Sequence, residues 1–206
     1  MHVAVLLYDG FDEMDALGPF EVFANAARAG ADCEVGLYTL SETERVTASH
    51  GMVVEPDGPL PTADDPAGAA PVDLLVVPGG GWNDRDRPGA WTEAERGAVP
   101  DAIADAHGAG ATVATVCTGG MLAARAGILD GRSAITHASA IDDLREYADV
   151  IEARVVDDGD VVSAGGVTSG LDLAVHLVER EFGAEVARQV RTEMEYDPVG
   201  EVVVAD

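Results

Sequence analysis

Three short apolar runs, each lacking polar/apolar alternation and each ending in a glycine-rich corner, constrain this chain more than anything else in it. They are HVAVLLY (2–8) before DGFDEMD, DLLVV (73–77) before PGGG, and ATVATV (111–116) before CTGG. A strand with one wet face alternates, whereas a continuous apolar run belongs to a strand covered on both faces. Helical stretches separate the runs: one from about Gly18 to Ala29 with Pro19 in its first turn, and TEAERGAVPDAIADAHGAG (92–110) with a break near Pro100. Strand, helix and strand in this order predict an α/β fold with a doubly wound, mostly parallel sheet, whose ligands sit beyond the carboxyl ends of the strands.

The remaining segments fit around that frame. CEVGLYTL (33–40) reads as a second strand, and RVTAS and MVVEP flank an HG turn as a hairpin. Residues 57–71, rich in Pro, Ala and Asp, read as a surface loop. After Cys117 come a helix over about 118–127, a strand SAIT, a helix AIDDLREYA, a hairpin ARVVDDGDVVSAGG, and helices over about 169–182 and 184–195. No linker or repeat divides the 206 residues, so one domain is expected over 1–196 with a short C-terminal tail at 197–206.

Charge excludes several classes of partner. There are 38 acids against 12 bases, a net charge of −26, and every base is an arginine. Such a field repels phosphates and anionic lipids, so no nucleic acid and no membrane surface is expected as a partner. The acids are scattered, which suits a surface adapted to concentrated salt, where screening removes self-repulsion. The first strand lacks the flanks of a signal peptide and two cysteines are too few for a disulfide framework, so a cytoplasmic protein with reduced thiols is expected. The ten residues after Tyr196 are too few for a helix-turn-helix domain.

Chemistry concentrates at Cys117. A sharp turn from strand into helix throws the turning side chain outward, as in the nucleophile elbow of hydrolases, and the following helix start favours thiolate over thiol. Cys117 is therefore the expected nucleophile, and Cys33, opening an apolar strand, is expected to pack. In PGGG the N–H groups of Gly79 and Gly80, with that of Thr118, form an expected oxyanion site. Asp9, Asp12, Glu13, Asp15 and His137 are the candidate acids or bases; Asp15 stands just before the expected helix, where it can cap, and His137 ends a strand pointing to the same edge. No metal is expected, because no His/Cys/acid pair has ligand spacing. Nucleotide binding is not expected either, since PGGG lacks the Lys-Ser/Thr of a phosphate loop.

Six motifs then carry a resemblance spanning nearly the whole chain. D-x-x-G-P-x-E-V-F (Asp15–Phe23), LLVVPGG (74–80), TVCTGG (115–120), AGIL-x-G-R-x-A-x-T-H (126–137), AGGVTSGLDLAVHLVE (164–179) and EMEY (193–196) together resemble the ThiJ/PfpI superfamily, related to class I glutamine amidotransferases. Asp15 and the Cys117–Thr118 pair resemble its isonitrile hydratase branch in particular. The resemblance implies a flavodoxin-like sandwich, usually a homodimer, acting on a small-molecule substrate. Cys117 would add to the isocyanide carbon, Asp15 would assist proton transfer, Thr118 would be required, and water would release an N-substituted formamide without a cofactor. Thr118 stands where peptidase-like members have histidine, and Ala138 where hydratase-like sequences commonly have tryptophan. His137 aligns with a histidine that some members pair with cysteine, which leaves a glyoxalase or deglycase activity, or a ligand-binding or redox-sensing role, as alternatives.

Overall fold

A computed structural model describes residues 1–62 and 70–205, so part of the expected 57–71 loop lies outside the described residues. In chain order the elements begin with β1 (His2–Leu6), α1 (Glu13–Arg28), β2 (Glu34–Thr39), β3 (Val46–Thr47), β4 (Val53–Val54) and β5 (Gly58–Pro59). They continue with β6 (Leu74–Val77), α2 (Ala90–Arg96), α3 (Ala98–Gly108), β7 (Thr112–Val116), α4 (Gly119–Arg125), β8 (Ser133–Ala134), α5 (Ile141–Leu144) and β9 (Asp149–Val150). The last are β10 (Val155–Asp158), β11 (Val161–Ala164), α6 (Ser169–Phe182), α7 (Ala184–Glu193) and β12 (Val202–Val204).

Eight strands form one sheet in the order β12-β10-β11-β7-β6-β1-β2-β5, parallel throughout except between β10 and β11. The continuous apolar runs are its centre: every residue of β1 and β6 is buried, as are Val113 to Val116 of β7. Helices α1, α6 and α7 pack together as one layer, and α2, α3 and α4 as another. With the central strands covered on both faces, these are the two outer layers of a flavodoxin-like sandwich, as expected. From β1 the chain winds one way to β2, then returns to place β6 on the other side of β1. The carboxyl ends of β1 and β6 thus flank the topological switch point, where such folds bind ligands. Because β11 runs parallel to β7, its AGGVTSG corner opens onto the same edge.

Several boundaries differ from expectation, each for a physical reason. Helix α1 begins five residues earlier than Gly18, because Asp12 accepts a hydrogen bond from Met14 N as its N-cap, and Pro19 lies inside the helix, not in its first turn. The break between α2 and α3 falls at Gly97, whose φ of +83° only glycine adopts readily, and Pro100 sits in the first turn of α3. SAIT contributes only β8, which pairs with β9 outside the main sheet. The helix expected over AIDDLREYA shrinks to a 3-10 turn and one α-turn. The 46–54 hairpin forms as expected. The expected tail supplies β12, an edge strand parallel to β10, after Val199 N is captured by the Asp172 carboxylate at 2.6 Å.

Candidate functional site

At the carboxyl end of β7 the chain turns into α4 through Cys117, whose φ is +56°. A non-glycine residue in this region costs about 1–2 kcal/mol, so the conformation persists only because its surroundings fix it. Cys117 N donates to Ala164 O at 3.1 Å, and Cys117 O accepts from Thr136 Oγ1 at 2.8 Å. The elbow is as expected, but the thiol is only 6% exposed. Its helix-start donor is present, since Thr118 N–H favours the thiolate, yet burial and then the Asp15 carboxylate outweigh it and push the thiol well above its ordinary pKa. The resting group is a neutral thiol, contrary to the activation expected from the corner alone.

Asp15 lies in the first turn of α1, not before it, and is fully buried. Its Oδ2 accepts from Gly79 N at 2.9 Å, while Oδ1 has no well-formed hydrogen-bond partner among the described residues, and the carboxyl faces Cys117. Burial, then the charge of Asp12, raises its pKa to about 8, against opposing contributions from Gly79 N–H and Cys117. At neutral pH the pair is therefore a carboxylic acid beside a thiol. Because Oδ2 receives an N–H, the acid proton belongs on Oδ1.

Gly79 and Gly80 serve this pair differently from the expectation. Neither N–H is free: Gly79 N holds Asp15, and Gly80 N donates to Thr118 Oγ1 at 2.9 Å. They are positioning donors, because their hydrogen bonds are already taken within the protein. A Cβ on Gly79 would collide with the backbone nitrogen and hydroxyl of Thr118, so the close approach itself requires glycine. Thr118 does not cap α4 with its side chain, and since its oxygen accepts from Gly80, its own proton remains to donate elsewhere.

His137 comes near the elbow through its backbone, with His137 N 3.4 Å from Cys117 O. Its ring accepts from Ser139 N through Nδ1 at 3.2 Å and lies 2.8 Å from Ser139 Oγ, capping a 3-10 turn. Among the described residues the ring makes no hydrogen bond to Cys117 or Asp15. Asp9 accepts from Thr47 N at 2.9 Å and Asp12 caps α1, so both hold backbone. Glu13 accepts from His50 N at 2.8 Å and pairs with His50 Nδ1 at 2.7 Å, which helps hold its pKa at about 2 against burial. Asp12, Glu13 and His50 do place possible ligand atoms within 4.8 Å of one another, a grouping that residue spacing did not reveal. Glu13 and His50 already satisfy each other there. Beside them lies a depression of about 550 Å³, lined also by Met14, Met52 and Val167.

Sequence reasoning missed Tyr8 and Thr136. Tyr8, just beyond β1, is buried with its hydroxyl 2.7 Å from Pro78 O and 3.0 Å from Gly79 O. Only the apolar-run ending in a tyrosine signalled it, and that reads equally as packing. Thr136 was adjacent to the noted His137 in the TH motif.

Comparison with known proteins shows the family and the fold. The family model described as "DJ-1/PfpI family" matches residues 1–180. The chain is 30% identical over 200 residues to isonitrile hydratase from Pseudomonas putida, covering 96% of this chain and 79% of the relative. It is 31% identical over 189 residues to the Parkinson disease protein 7 homolog of Danio rerio, covering 91% and 93%. A solved ThiJ/PfpI family protein from Pseudomonas syringae superposes with a TM-score of 0.81 at 27% identity, covering 96% of this chain and 76% of that one.

Proposed function

Because the chain belongs to the DJ-1/PfpI family, we propose that it is a hydratase of a small electrophile of the isonitrile type, using Cys117 as nucleophile and Asp15 as proton donor. One observation carries the proposal: a buried carboxylic acid with an unpartnered oxygen facing a buried thiol. An isocyanide carbon must gain both a proton and a nucleophile, and this pair offers both without a metal or cofactor.

The steps balance as follows. Asp15 Oδ1 gives its proton to the isocyanide carbon as Cys117 Sγ bonds to it, and the thiol proton returns to Asp15, leaving R–N=CH–S–Cys117. Water adds to that carbon while the nitrogen takes one of its protons, with Thr118 Oγ1–H supporting the nitrogen or the water. The C–S bond then breaks, the remaining hydroxyl proton passes to sulfur, and R–NH–CHO leaves with the thiol restored. Gly79 and Gly80 hold the acid and the threonine, in place of the oxyanion role first expected of them.

The net charge of −26 supports a small neutral substrate and no nucleic acid, and among the described residues no helix is long and apolar enough to cross a membrane. We place the protein in the cytoplasm of a salt-adapted cell, as a homodimer. Exposed Met14 (45%), which lines the depression with Met52, and exposed Val53 (55%) support an apolar contact with a second copy.

The test incubates the wild type and Cys117→Ala with cyclohexyl isocyanide in molar KCl and follows N-cyclohexylformamide by mass spectrometry, with methylglyoxal consumption in parallel. Formamide from the wild type alone is expected. Formamide from the Ala variant, or none from either protein, overturns the proposal, and methylglyoxal loss without formamide assigns the glyoxalase alternative.

A further inference from the structure

Tyr8 touches neither Cys117 nor Asp15 through a hydrogen bond, yet its hydroxyl sits at the one point on which two consecutive peptide carbonyls converge. In a trans peptide the C=O and N–H of the same plane point in opposite directions. The plane holding Pro78 C=O carries Gly79 N–H at its other end, which holds Asp15 Oδ2. The next plane, holding Gly79 C=O, carries Gly80 N–H, which holds Thr118 Oγ1. One hydroxyl therefore grips the back of both planes whose fronts hold the acid and the threonine.

We infer that Tyr8 is a positioning residue, whose hydroxyl fixes the rotation of the 78–79 and 79–80 peptides and through them aims Asp15 and Thr118. The inference rests on the proposed roles of those two residues. The clamp is needed because glycines at 79 and 80 leave those planes little intrinsic resistance to rotation. Burial, then the nearby Asp15, Cys117, Glu93 and Asp12, raises the phenol's pKa well above its ordinary value, so Tyr8 remains a protonated donor across the working pH range. The two planes are not equally secured. Gly79 O also accepts from Asp12 N at 2.8 Å, whereas the Tyr8 hydroxyl is the only partner found for Pro78 O among the described residues. Losing the hydroxyl thus frees chiefly the plane that holds Asp15.

Tyr8→Phe keeps the ring and removes the grip. The pH dependence of Cys117 alkylation by iodoacetamide, resolved from Cys33 by peptide mass, requires no turnover and is independent of the hydratase assignment. Gly79 N–H holds the Asp15 pKa down, so its loosening moves the lower limb of that profile upward. The expected displacement is about 0.5–1 on the pH scale, the equivalent of one weakened hydrogen bond. The displacement should vanish in an Asp15→Asn background. A Phe variant that melts earlier while its limb stays in place, or a displacement that survives Asp15→Asn, overturns the inference. In the unsubstituted protein the Tyr8 Cζ and Gly79 amide resonances should titrate with one midpoint; separate midpoints overturn it as well. A shifted limb with no formamide from the wild type would sink the hydratase reading and leave the role of Tyr8 standing.

Discussion

Two buried aspartates at opposite ends of the sheet show how differently one side chain is used. Asp15, at the carboxyl edge of β1 and β6, is stabilised by no neighbouring cation among the described residues, and burial lifts its pKa to about 8. Asp157, on β10, accepts from His176 Nε2 at 2.6 Å, Arg180 at 3.2 Å and Gly159 N at 3.0 Å. Those partners overcome its burial and hold its pKa below the ordinary value. Nearby acids are equally well matched: Arg154 Nε donates to Asp172 at 2.6 Å and Arg132 to Asp160 at 2.6 Å. The chain has only 12 bases for 38 acids, and Arg132, Arg154 and Arg180 stand where acids bind the fold together. At the site an acid is left without one, so it keeps its proton near neutral pH.

Asp15→Asn should break the comparison most sharply. Formamide production is expected to fall about 10²- to 10⁴-fold, the range for loss of a general acid. The fold should be as stable as the wild type or more so at pH 8, because an uncompensated buried carboxyl is gone. The sign follows from linkage: between the unfolded Asp value near 4 and the folded value near 8 the folded state binds more protons, so stability contributed by this group falls as pH rises through that window. Denaturation midpoints from pH 4 to 8 should show that fall in the wild type and not in Asp15→Asn; parallel curves would refute the assignment.

Asp157→Asn should do the reverse. Activity stays at the wild-type level while stability drops by about 1–3 kcal/mol, the range for a charged hydrogen bond left unmade. Its folded pKa is depressed, so the wild type holds this advantage above the unfolded value and surrenders it as pH falls below about 4. An Asp157→Asn protein that melts with the wild type at pH 7 would show that the cations contribute nothing there.

Asp12→Ala is expected to have the smallest effect and to sharpen the contrast. Loss of the cap on α1 costs about 0.5–2 kcal/mol. Removing a negative neighbour also lowers the Asp15 pKa, which moves the lower limb of Cys117 alkylation toward acid. A limb moving toward base would contradict the charge argument.

The legible part of this molecule was the part governed by burial along the chain. Val3, Val76 and Val113 announced strands covered on both faces because nothing else requires continuous apolar residues, and the glycine corners announced the edge where those strands end. Cys117 at its elbow followed from the same pattern. What stayed hidden depends on distance in sequence. Pro19 looked like a first-turn residue because proline usually is, which displaced the helix start and put Asp15 outside it. The engagement of Gly79 N–H by Asp15 spans 64 residues and the reach of Tyr8 to Pro78 spans 70, so neither leaves a local trace. The corner suggested an activated thiolate because a helix start is visible in sequence, whereas burial and a neighbouring carboxyl are not.

The sheet's two borders also bear on how this protein behaves in a crowded solution. An open sheet ends in unpaired backbone groups that can recruit another chain. On one border β5 is only two residues long and includes Pro59, which has no N–H to offer. On the other, β12 is three residues long and covers the longer β10. Both borders are too brief to template a neighbour, and the repulsion of a −26 chain opposes approach to them. When molar salt screens that repulsion, these short borders remain as the barrier to strand-mediated aggregation.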